Sequence, residues 1–228
     1  MNAFSQSRKN ISCLLKLIVF FSAVAGTVLS YLAGRHSFMG GRHVFMYFTI
    51  QSNIAMAIIC AVGLYLLWNK KPVSHLWYVI KFVGTVSITL TGVVFCFVLA
   101  PTLGAQAWNI QNILTHVVVP IFSVVDFFVV ASKARLEKKN VVFVTIPPLL
   151  YAIYAGIGYV NNWQFAEGYN YPYFFLNWGS KAGAFGFADE LPFMGTVWWI
   201  LVLLLFLILV GSLYLTLADF IGRKIASD

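Results

Sequence analysis

Six apolar runs constrain this chain more than any other feature of its sequence. Each is close to the roughly 20 residues that an α-helix needs to cross a bilayer. In hydrocarbon every backbone polar group must find its partner inside the protein, so such runs fold as helices. They lie at about Cys13–Ala33, Val44–Trp68, Leu76–Ala100, Ile110–Ser132, Val141–Val160 and Phe193–Leu217. The sequence therefore predicts an all-α fold, a polytopic bundle of six transmembrane helices that forms one domain, residues 1–228.

The charges predict how this bundle is oriented. Only 10% of the residues are charged, against about a quarter in soluble domains. The net charge of +8 does not indicate a nucleic-acid partner, because the basic residues form short clusters beside the apolar runs. With the N-terminus inside, all of the 15 Lys and Arg residues except Arg35, Arg42 and Lys181 fall on the cytoplasmic side, Lys16 and Lys81 included. The positive-inside rule then places both termini in the cytoplasm.

The sequence contains no pattern typical of a metal or cofactor site. Its three cysteines, Cys13, Cys60 and Cys96, lie in or beside apolar runs and form no CxxC motif. HxxxH and HExxH are also absent. We therefore expect no metal and no cofactor, and we interpret the cysteines as membrane-core thiols.

Two polar faces interrupt the apolar runs near one membrane edge. Thr49, Ser52 and Asn53 follow i, i+3, i+4 spacing at the start of the second helix, so they share a face. Asn112 and His116 lie one turn apart at the start of the fourth. At about 1.5 Å per residue, Thr49 and His116 both fall roughly 7–9 Å below the outer edge. We therefore expect Thr49 Oγ and a His116 ring nitrogen to lie within hydrogen-bonding distance.

Each of these polar residues also has a purely structural interpretation. A threonine in a membrane helix usually bonds back to its own helix, and Asn53 is suited to joining two helices. A histidine inside a membrane segment is a functional candidate by default, with a structural hydrogen bond as the alternative. Asp126 follows His116 by ten residues, about 15 Å deeper. Unless the fourth helix breaks, it cannot be the third member of a triad with His116, and it is either functional elsewhere or paired with a buried polar group or a lysine.

The loop from Asn161 to Phe193 is unusually long and aromatic for a helix–helix connection. It contains 11 aromatic residues, and Tyr and Trp are favoured at membrane interfaces. We therefore expect an aromatic cap over the outer ends of helices two and four. Tyr171, Tyr173 and Trp178 are its candidate substrate contacts.

Three short stretches resemble one known family. "YFTIQSN" (47–53), "NILTHVVVP" (112–120) and "YPYFFLN" (171–177) are similar to motifs of the androgen-induced and androgen-dependent six-helix membrane proteins and their bacterial relatives. In the bacterial branch we expect Asp where this chain has Asn177, so the sequence departs from the pattern there. The resemblance implies a multi-pass protein of the bacterial cytoplasmic membrane.

The same resemblance implies an activity. The animal members are hydrolases of fatty acid esters of hydroxy fatty acids that use a threonine nucleophile and a histidine. Thr49 matches the nucleophile and His116 the base. A lipid ester would then form an acyl-threonine and release a fatty acid. Gln51, Asn53 and Asn112 are candidate oxyanion donors, because side-chain amides serve in this role.

Two other functions remain open from the residues alone. A non-catalytic carrier would use the polar cluster to bind the head group of a lipid or another small molecule. A proton-coupled transporter would relay protons through His116 and Asp126, although the sequence shows no inverted repeat. Surrounding membrane lipids are expected partners in every case, and the sequence does not define an oligomeric state.

Overall fold

Six helices in the described part of the chain are long and apolar enough to cross a membrane. A computed structural model describes residues 6–35, 41–131 and 136–227. We number the six membrane-spanning helices α1 (Gln6–Gly34), α2 (Phe48–Trp68), α3 (His75–Ala107), α4 (Ile110–Val130), α5 (Lys138–Val160) and α6 (Thr196–Arg223). The described residues form no β-strand, only two isolated bridges between residues 166 and 169 and between residues 187 and 194. The predicted six-helix, all-α architecture is confirmed.

The helix boundaries differ from the apolar runs where the backbone is irregular. A 3₁₀ segment, Gly41–Met46, precedes α2, which begins only at Phe48. The first part of α5 is also 3₁₀, and its α-helical part starts at Ile146 with Pro147 and Pro148 in the first turn. Proline is tolerated there because those N–H groups have no intrahelical acceptor.

The helices pack as a group of four with the other two beside it. Helices α1 to α4 contact one another, while α6 packs against α3, α4 and the 3₁₀ part of α5. The core of the first group centres on Val19, Met56 and Val119. A second core joins α3, α4 and α6 around Phe82 and Phe127.

Three charged side chains form a buried cluster between α1, α3 and α4. Asp126 Oδ1 lies 2.8 Å from Lys16 Nζ, and Asp126 Oδ2 lies 2.6 Å from Lys81 Nζ. Ser12 Oγ donates to Asp126 Oδ1 at 2.7 Å. A Cβ at Gly63 would lie only 2.7 Å from Lys16 Cε, so this glycine makes room for the lysine. The Asp–Lys pairing expected as one alternative is therefore confirmed.

This cluster corrects part of the charge argument. The charge count assigns Lys16 and Lys81 to the cytoplasmic side, but their exposed fractions are only 4% and 5%. Both ammonium groups pair with the Asp126 carboxylate inside the bundle, because a buried charge is tolerated only when it is paired. Lys133 and Arg135, which the count also places in the cytoplasm, lie outside the described residues.

The cap segment, residues 161–193, packs against α2, α5 and α6. Tyr47, just before α2, donates from its hydroxyl to the Phe165 carbonyl at 3.2 Å. Phe165 itself is fully buried, and its ring contacts Tyr154 of α5. Trp199 of α6 contacts the ring of Phe175. The segment therefore does cover α2 as predicted, but its other partners are α5 and α6 rather than α4.

Candidate active site

Two π-helical segments distort α3 and α4 where these helices face each other. They are Phe95–Leu99 in α3 and Leu114–Val118 in α4, and a proline, Pro101 or Pro120, follows each two residues later. Proline has no N–H for the carbonyl four residues earlier, and its ring crowds that carbonyl, so the helix widens. The result is a face-to-face contact between the rings of Phe95 and His116, with centroids 3.7 Å apart.

Gly92 lets α3 approach the His116 carbonyl closely. This carbonyl has no hydrogen-bond donor four residues later in its own helix, because Pro120 lacks an N–H. A Cβ on Gly92 would lie 2.9 Å from the His116 carbonyl oxygen and 3.1 Å from Pro120 Cβ. Only glycine fits this close backbone approach without displacing α4. The position of the His116 ring therefore depends on a residue that does not touch it.

Gly92→Ala is expected to lower stability and to move His116 relative to α2. Overpacking of this kind typically costs about 1–3 kcal/mol. Gly156→Ala in α5 is the matched control, because its new Cβ would meet nothing closer than 3.9 Å. Thermal unfolding in detergent should show a lower midpoint for Gly92→Ala alone. Equal midpoints for the two variants would contradict this account of Gly92.

Thr49 and His116 meet as the sequence predicts. Thr49 Oγ1 lies 3.3 Å from His116 Nε2. Thr49 is half-buried in the first turn of α2, and His116 is buried within the π segment of α4. The distance is at the long end for a hydrogen bond, as is common for catalytic pairs without substrate.

The contacts of the other ring nitrogen define the tautomer of His116. Its Nδ1 lies 3.1 Å from the Asn112 carbonyl oxygen, which can only accept a hydrogen bond. Thr115 Oγ1 lies 3.0 Å from the same nitrogen and already donates its proton to the Gln111 carbonyl. Nδ1 therefore carries the proton, and the lone pair of Nε2 faces Thr49. A carbonyl and a hydroxyl, and not a carboxylate, orient this histidine.

Asn53 joins α2 to α4. Its side-chain amide donates to the Thr49 carbonyl at 2.8 Å and to the Thr115 carbonyl at 3.1 Å. Ser52 contacts α3 in a similar way, since its hydroxyl lies 2.8 Å from Thr91 Oγ1. These bonds hold the backbone of Thr49 against both neighbouring helices, which is the structural interpretation of Asn53.

The three amides expected as oxyanion donors are not brought to the Thr49 hydroxyl. Both amide hydrogens of Asn53 are engaged by carbonyls. Gln51 is exposed and donates to the Phe45 carbonyl at 3.1 Å. Asn112 donates to the Ala107 carbonyl at 2.9 Å. We therefore assign the oxyanion role to none of them, because nearby backbone carbonyls compete successfully for their N–H groups.

Of the three cap candidates, only Tyr173 reaches Thr49. Its hydroxyl lies 3.5 Å from Thr49 Oγ1 and accepts the Thr49 N–H at 3.4 Å. Tyr171 contacts the ring of Tyr169 instead, and Trp178 Nε1 lies beside Gly156 of α5. Neither lines the cavity that opens beside Thr49. Burial raises the pKa of Tyr173, so its hydroxyl remains neutral at physiological pH.

This cavity is largely apolar. It lies between α2, α3, α5, α6 and the cap segment, and its volume of about 60 Å³ is well below the roughly 300–1,000 Å³ of typical small-molecule sites. Thr49, Thr91, Tyr151 and Tyr173 are the lining residues with hydroxyl groups. The remaining walls are apolar and reach Leu204, two turns into α6. Such walls suit the hydrocarbon part of a ligand better than a polar group.

Asn177, where the resembled family leads us to expect Asp, shapes a turn of the cap segment. Its Oδ1 accepts the Gly179 N–H at 3.0 Å. A carboxylate oxygen accepts this bond equally well. Asn177 therefore makes the turn-forming contact that an Asp would also make. Its difference from the family pattern does not involve Thr49 or His116.

Three contributors to the site lie outside the residues that the sequence predicts for it: the π segment of α4, Thr115 and Phe95. Pro120 indicates that the His116 carbonyl lacks its helical donor, but helical periodicity does not reveal the π segment that accompanies it. Thr115 has a usable signal, because it is adjacent to His116 and one turn after Gln111. Phe95 has no local signal, since only the packing of α3 on α4 brings its ring to His116.

The fold and the candidate site together define the class of protein to which this chain belongs. The chain has the six apolar helices of a multi-pass membrane protein, with a threonine–histidine pair beside an apolar cavity. Comparisons with protein-family models, with curated proteins and with solved structures find no significant match. Among the described residues, no group of three His, Cys, Asp or Glu side chains is arranged to hold a metal ion.

Proposed function

We propose that this protein is an intramembrane lipid esterase with Thr49 as nucleophile and His116 as general base. The observation that carries the proposal is the 3.3 Å contact between Thr49 Oγ1 and an Nε2 that holds a lone pair. A threonine hydroxyl reacts at neutral pH only when a base removes its proton, and a neutral imidazole is suited to this. Burial and the bonds at Nδ1 keep the ring in this state and orientation.

The reaction proceeds in two balanced steps. In the first, Thr49 Oγ attacks the ester carbonyl carbon while its proton passes to His116 Nε2. The tetrahedral intermediate then expels the alcohol, which takes that proton, and an acyl-threonine remains. In the second step, His116 takes a proton from water as the water attacks the acyl carbon. Thr49 Oγ leaves with that proton, and a fatty acid is released.

The apolar lining of the cavity supports a substrate with an acyl chain. Its apolar walls start beside Thr49, so an ester group at the dyad places the first part of the acyl chain against them. The resemblance to the six-helix family indicates fatty acid esters of hydroxy fatty acids, or similar lipid esters, as the substrate class. Such a reaction needs no cofactor, and surrounding membrane lipids supply the medium from which the ester enters.

The distribution of charge supports an orientation with both termini in the cytoplasm. Lys70 and Lys71 follow α2, and Lys138 and Lys139 begin α5, at the ends of the helices opposite to the cap segment. This agrees with the positive-inside rule even without the buried Lys16 and Lys81. Together with the family resemblance, it leads us to propose the bacterial cytoplasmic membrane as the location.

Covalent labelling tests the nucleophile. An alkyl fluorophosphonate should label the purified protein, and peptide mapping should place the label on Thr49. Labelling should disappear in Thr49→Ala and slow strongly in His116→Ala. Thr89→Ala is the matched control, because Thr89 bonds to Tyr214 and the Thr85 carbonyl and does not line the cavity. Labelling that persists in Thr49→Ala would reject Thr49 as the nucleophile.

A non-catalytic carrier is the second candidate, and the almost wholly apolar lining of the cavity favours it. A carrier would bind a lipid ester without releasing fatty acid and would not react with the fluorophosphonate. A proton relay through Asp126 has less support, because Lys16, Lys81 and Ser12 engage both of its carboxylate oxygens.

A further inference from the structure

We propose that the Tyr173 hydroxyl is the oxyanion donor of this site, an inference that rests on the proposed esterase function. None of the amides expected from the sequence is brought to Thr49. Tyr173 comes instead from the cap segment, and its hydroxyl lies 3.5 Å from Thr49 Oγ1 in the wall of the same cavity.

The distance fits the geometry of a tetrahedral intermediate. The oxyanion and Thr49 Oγ would be bonded to the same carbon, so they lie close together. An effective donor sits about 2.7–3.1 Å from the oxyanion rather than from the ground-state carbonyl oxygen. A separation of 3.5 Å between the Tyr173 hydroxyl and Thr49 Oγ1 is compatible with a donor at that distance from the oxyanion. His116 Nε2 lies 3.3 Å from the same Oγ1, so the base and the donor both contact the nucleophile.

The surrounding rings hold Tyr173 in place before substrate binds. Its ring stacks on Phe175 with a 5.0 Å centroid distance and an interplanar angle of 6°. Tyr47 meets the same ring edge-on at 5.6 Å. The Thr49 N–H, which lies in the first turn of α2 and has no helical acceptor, donates to the Tyr173 oxygen. A fixed donor of this kind needs no reorganisation during the reaction.

The role requires Tyr173 to donate a hydrogen bond and to keep its proton. The phenolic O–H points its hydrogen at the oxyanion in both tetrahedral intermediates, while the transferred proton moves only between Thr49, His116, the alcohol and water. Burial raises the pKa of Tyr173, and this agrees with a hydroxyl that stays protonated. Tyr173 is therefore a catalytic residue in contact with the reacting atoms.

Tyr173→Phe tests the inference, because it removes the hydroxyl and keeps the ring. We expect kcat for ester hydrolysis to fall by about 10²–10³-fold, as for loss of one oxyanion donor. KM and the affinity for a non-hydrolysable ether analogue should change little. Tyr171→Phe is the matched control, because Tyr171 belongs to the same segment but does not line the cavity. Its kcat should equal that of the wild type.

A fluorinated tyrosine at position 173 covers the case in which Tyr173→Phe fails to fold. It keeps the ring and the hydroxyl but makes the hydroxyl more acidic. Because the deprotonated oxygen cannot donate, the alkaline loss of kcat should begin at lower pH than in the wild type. An unchanged pH profile would overturn the inference, since a merely structural tyrosine would not move it.

The outcomes separate this inference from the proposed function. Hydrolysis by the wild type, loss in Thr49→Ala and a kcat within about threefold of wild type in Tyr173→Phe would overturn the donor role alone, because one oxyanion donor contributes far more than that. A wild type that neither hydrolyses any ester in a panel nor reacts with the fluorophosphonate would overturn the esterase and this inference with it. Hydrolysis by the wild type that is lost in Thr49→Ala, and that falls in Tyr173→Phe but not in Tyr171→Phe, would support both.

Discussion

Thr49→Ala and His116→Ala are each expected to reduce ester hydrolysis by about 10⁴-fold or more, and the double variant should be no slower than either single one. Nucleophile and base act as one unit, so their losses do not add. The 3.3 Å contact between them is the physical basis of this expectation. Thr49→Ser keeps the reacting hydroxyl and removes only a methyl group, so it should retain activity. The measurement is released fatty acid at matched amounts of folded protein.

Two substitutions elsewhere control for nonspecific effects. Thr89→Ala removes another partly buried membrane threonine, and His75→Ala removes an exposed histidine at the start of α3. Both should keep wild-type turnover. Full activity in Thr49→Ala would end the covalent-threonine account, whereas strictly additive losses would indicate that Thr49 and His116 act independently.

Asp126→Asn is expected to have the largest effect on stability. The substitution would leave Lys16 and Lys81 facing each other without the carboxylate that pairs with both of them. Removing one partner of a buried ion pair typically costs about 3–5 kcal/mol, because the remaining charge stays desolvated. The midpoint of thermal unfolding and the monodisperse yield in detergent should both fall. Turnover per folded molecule should remain, because Asp126 is about ten helical residues away from His116.

The chain offers two controls for this prediction. Asp219→Asn removes the same charge from an exposed position on α6 and should leave the unfolding midpoint unchanged. Replacing the cluster together, as Lys16→Met, Lys81→Met and Asp126→Leu, should recover most of the loss, because apolar residues avoid the desolvation cost. An Asp126→Asn protein as stable as the wild type would contradict the account of the cluster. Loss of turnover in Asp126→Asn but not in Thr49→Ala would point to a different site deeper in the bundle.

The membrane-spanning helices are predictable because their signal is local. Length and hydropathy alone identify a spanning helix, and each of the six apolar runs corresponds to one. The residues at which the helices end are less predictable. Helix α3 continues past Ala100 to Ala107, because Pro101 falls in the first turn after the π segment, where its missing N–H costs little. No hydropathy pattern contains that information.

The candidate site is predictable where helical spacing determines it. Thr49 and His116 lie on polar faces at matched depth, and the two side chains do meet. Helical spacing does not determine which other side chains contact this pair. Gln51, Asn53 and Asn112 are good donors by type, but backbone carbonyls close by in the folded chain engage them. The sequence does not distinguish Tyr173 from Tyr171 and Trp178, the other two candidate substrate contacts of the cap segment. A loop has no periodicity that would show which of its side chains faces the site.

The positions of the two buried lysines are also difficult to predict from the sequence. Lys16 and Lys81 lie close enough to helix ends for a charge count to assign them to the cytoplasmic side. Only the packing of α1, α3 and α4 around Asp126 reveals that both face the bundle interior. A lysine several residues inside an apolar run, with an aspartate in a neighbouring run, is the available signal for a buried pair.

Trapping the acyl-enzyme tests the central claim most directly. Wild-type protein is mixed with a fatty acid ester of a hydroxy fatty acid, and the reaction is quenched in acid at short times. The protein is then digested, and the mass of the peptide that contains Thr49 is measured by mass spectrometry. We predict a mass increase equal to the acyl group minus one hydrogen, located on Thr49, present at early times and absent from Thr49→Ala. Steady release of fatty acid, with Thr49 unmodified at every time and Thr49→Ala fully active, would contradict the account.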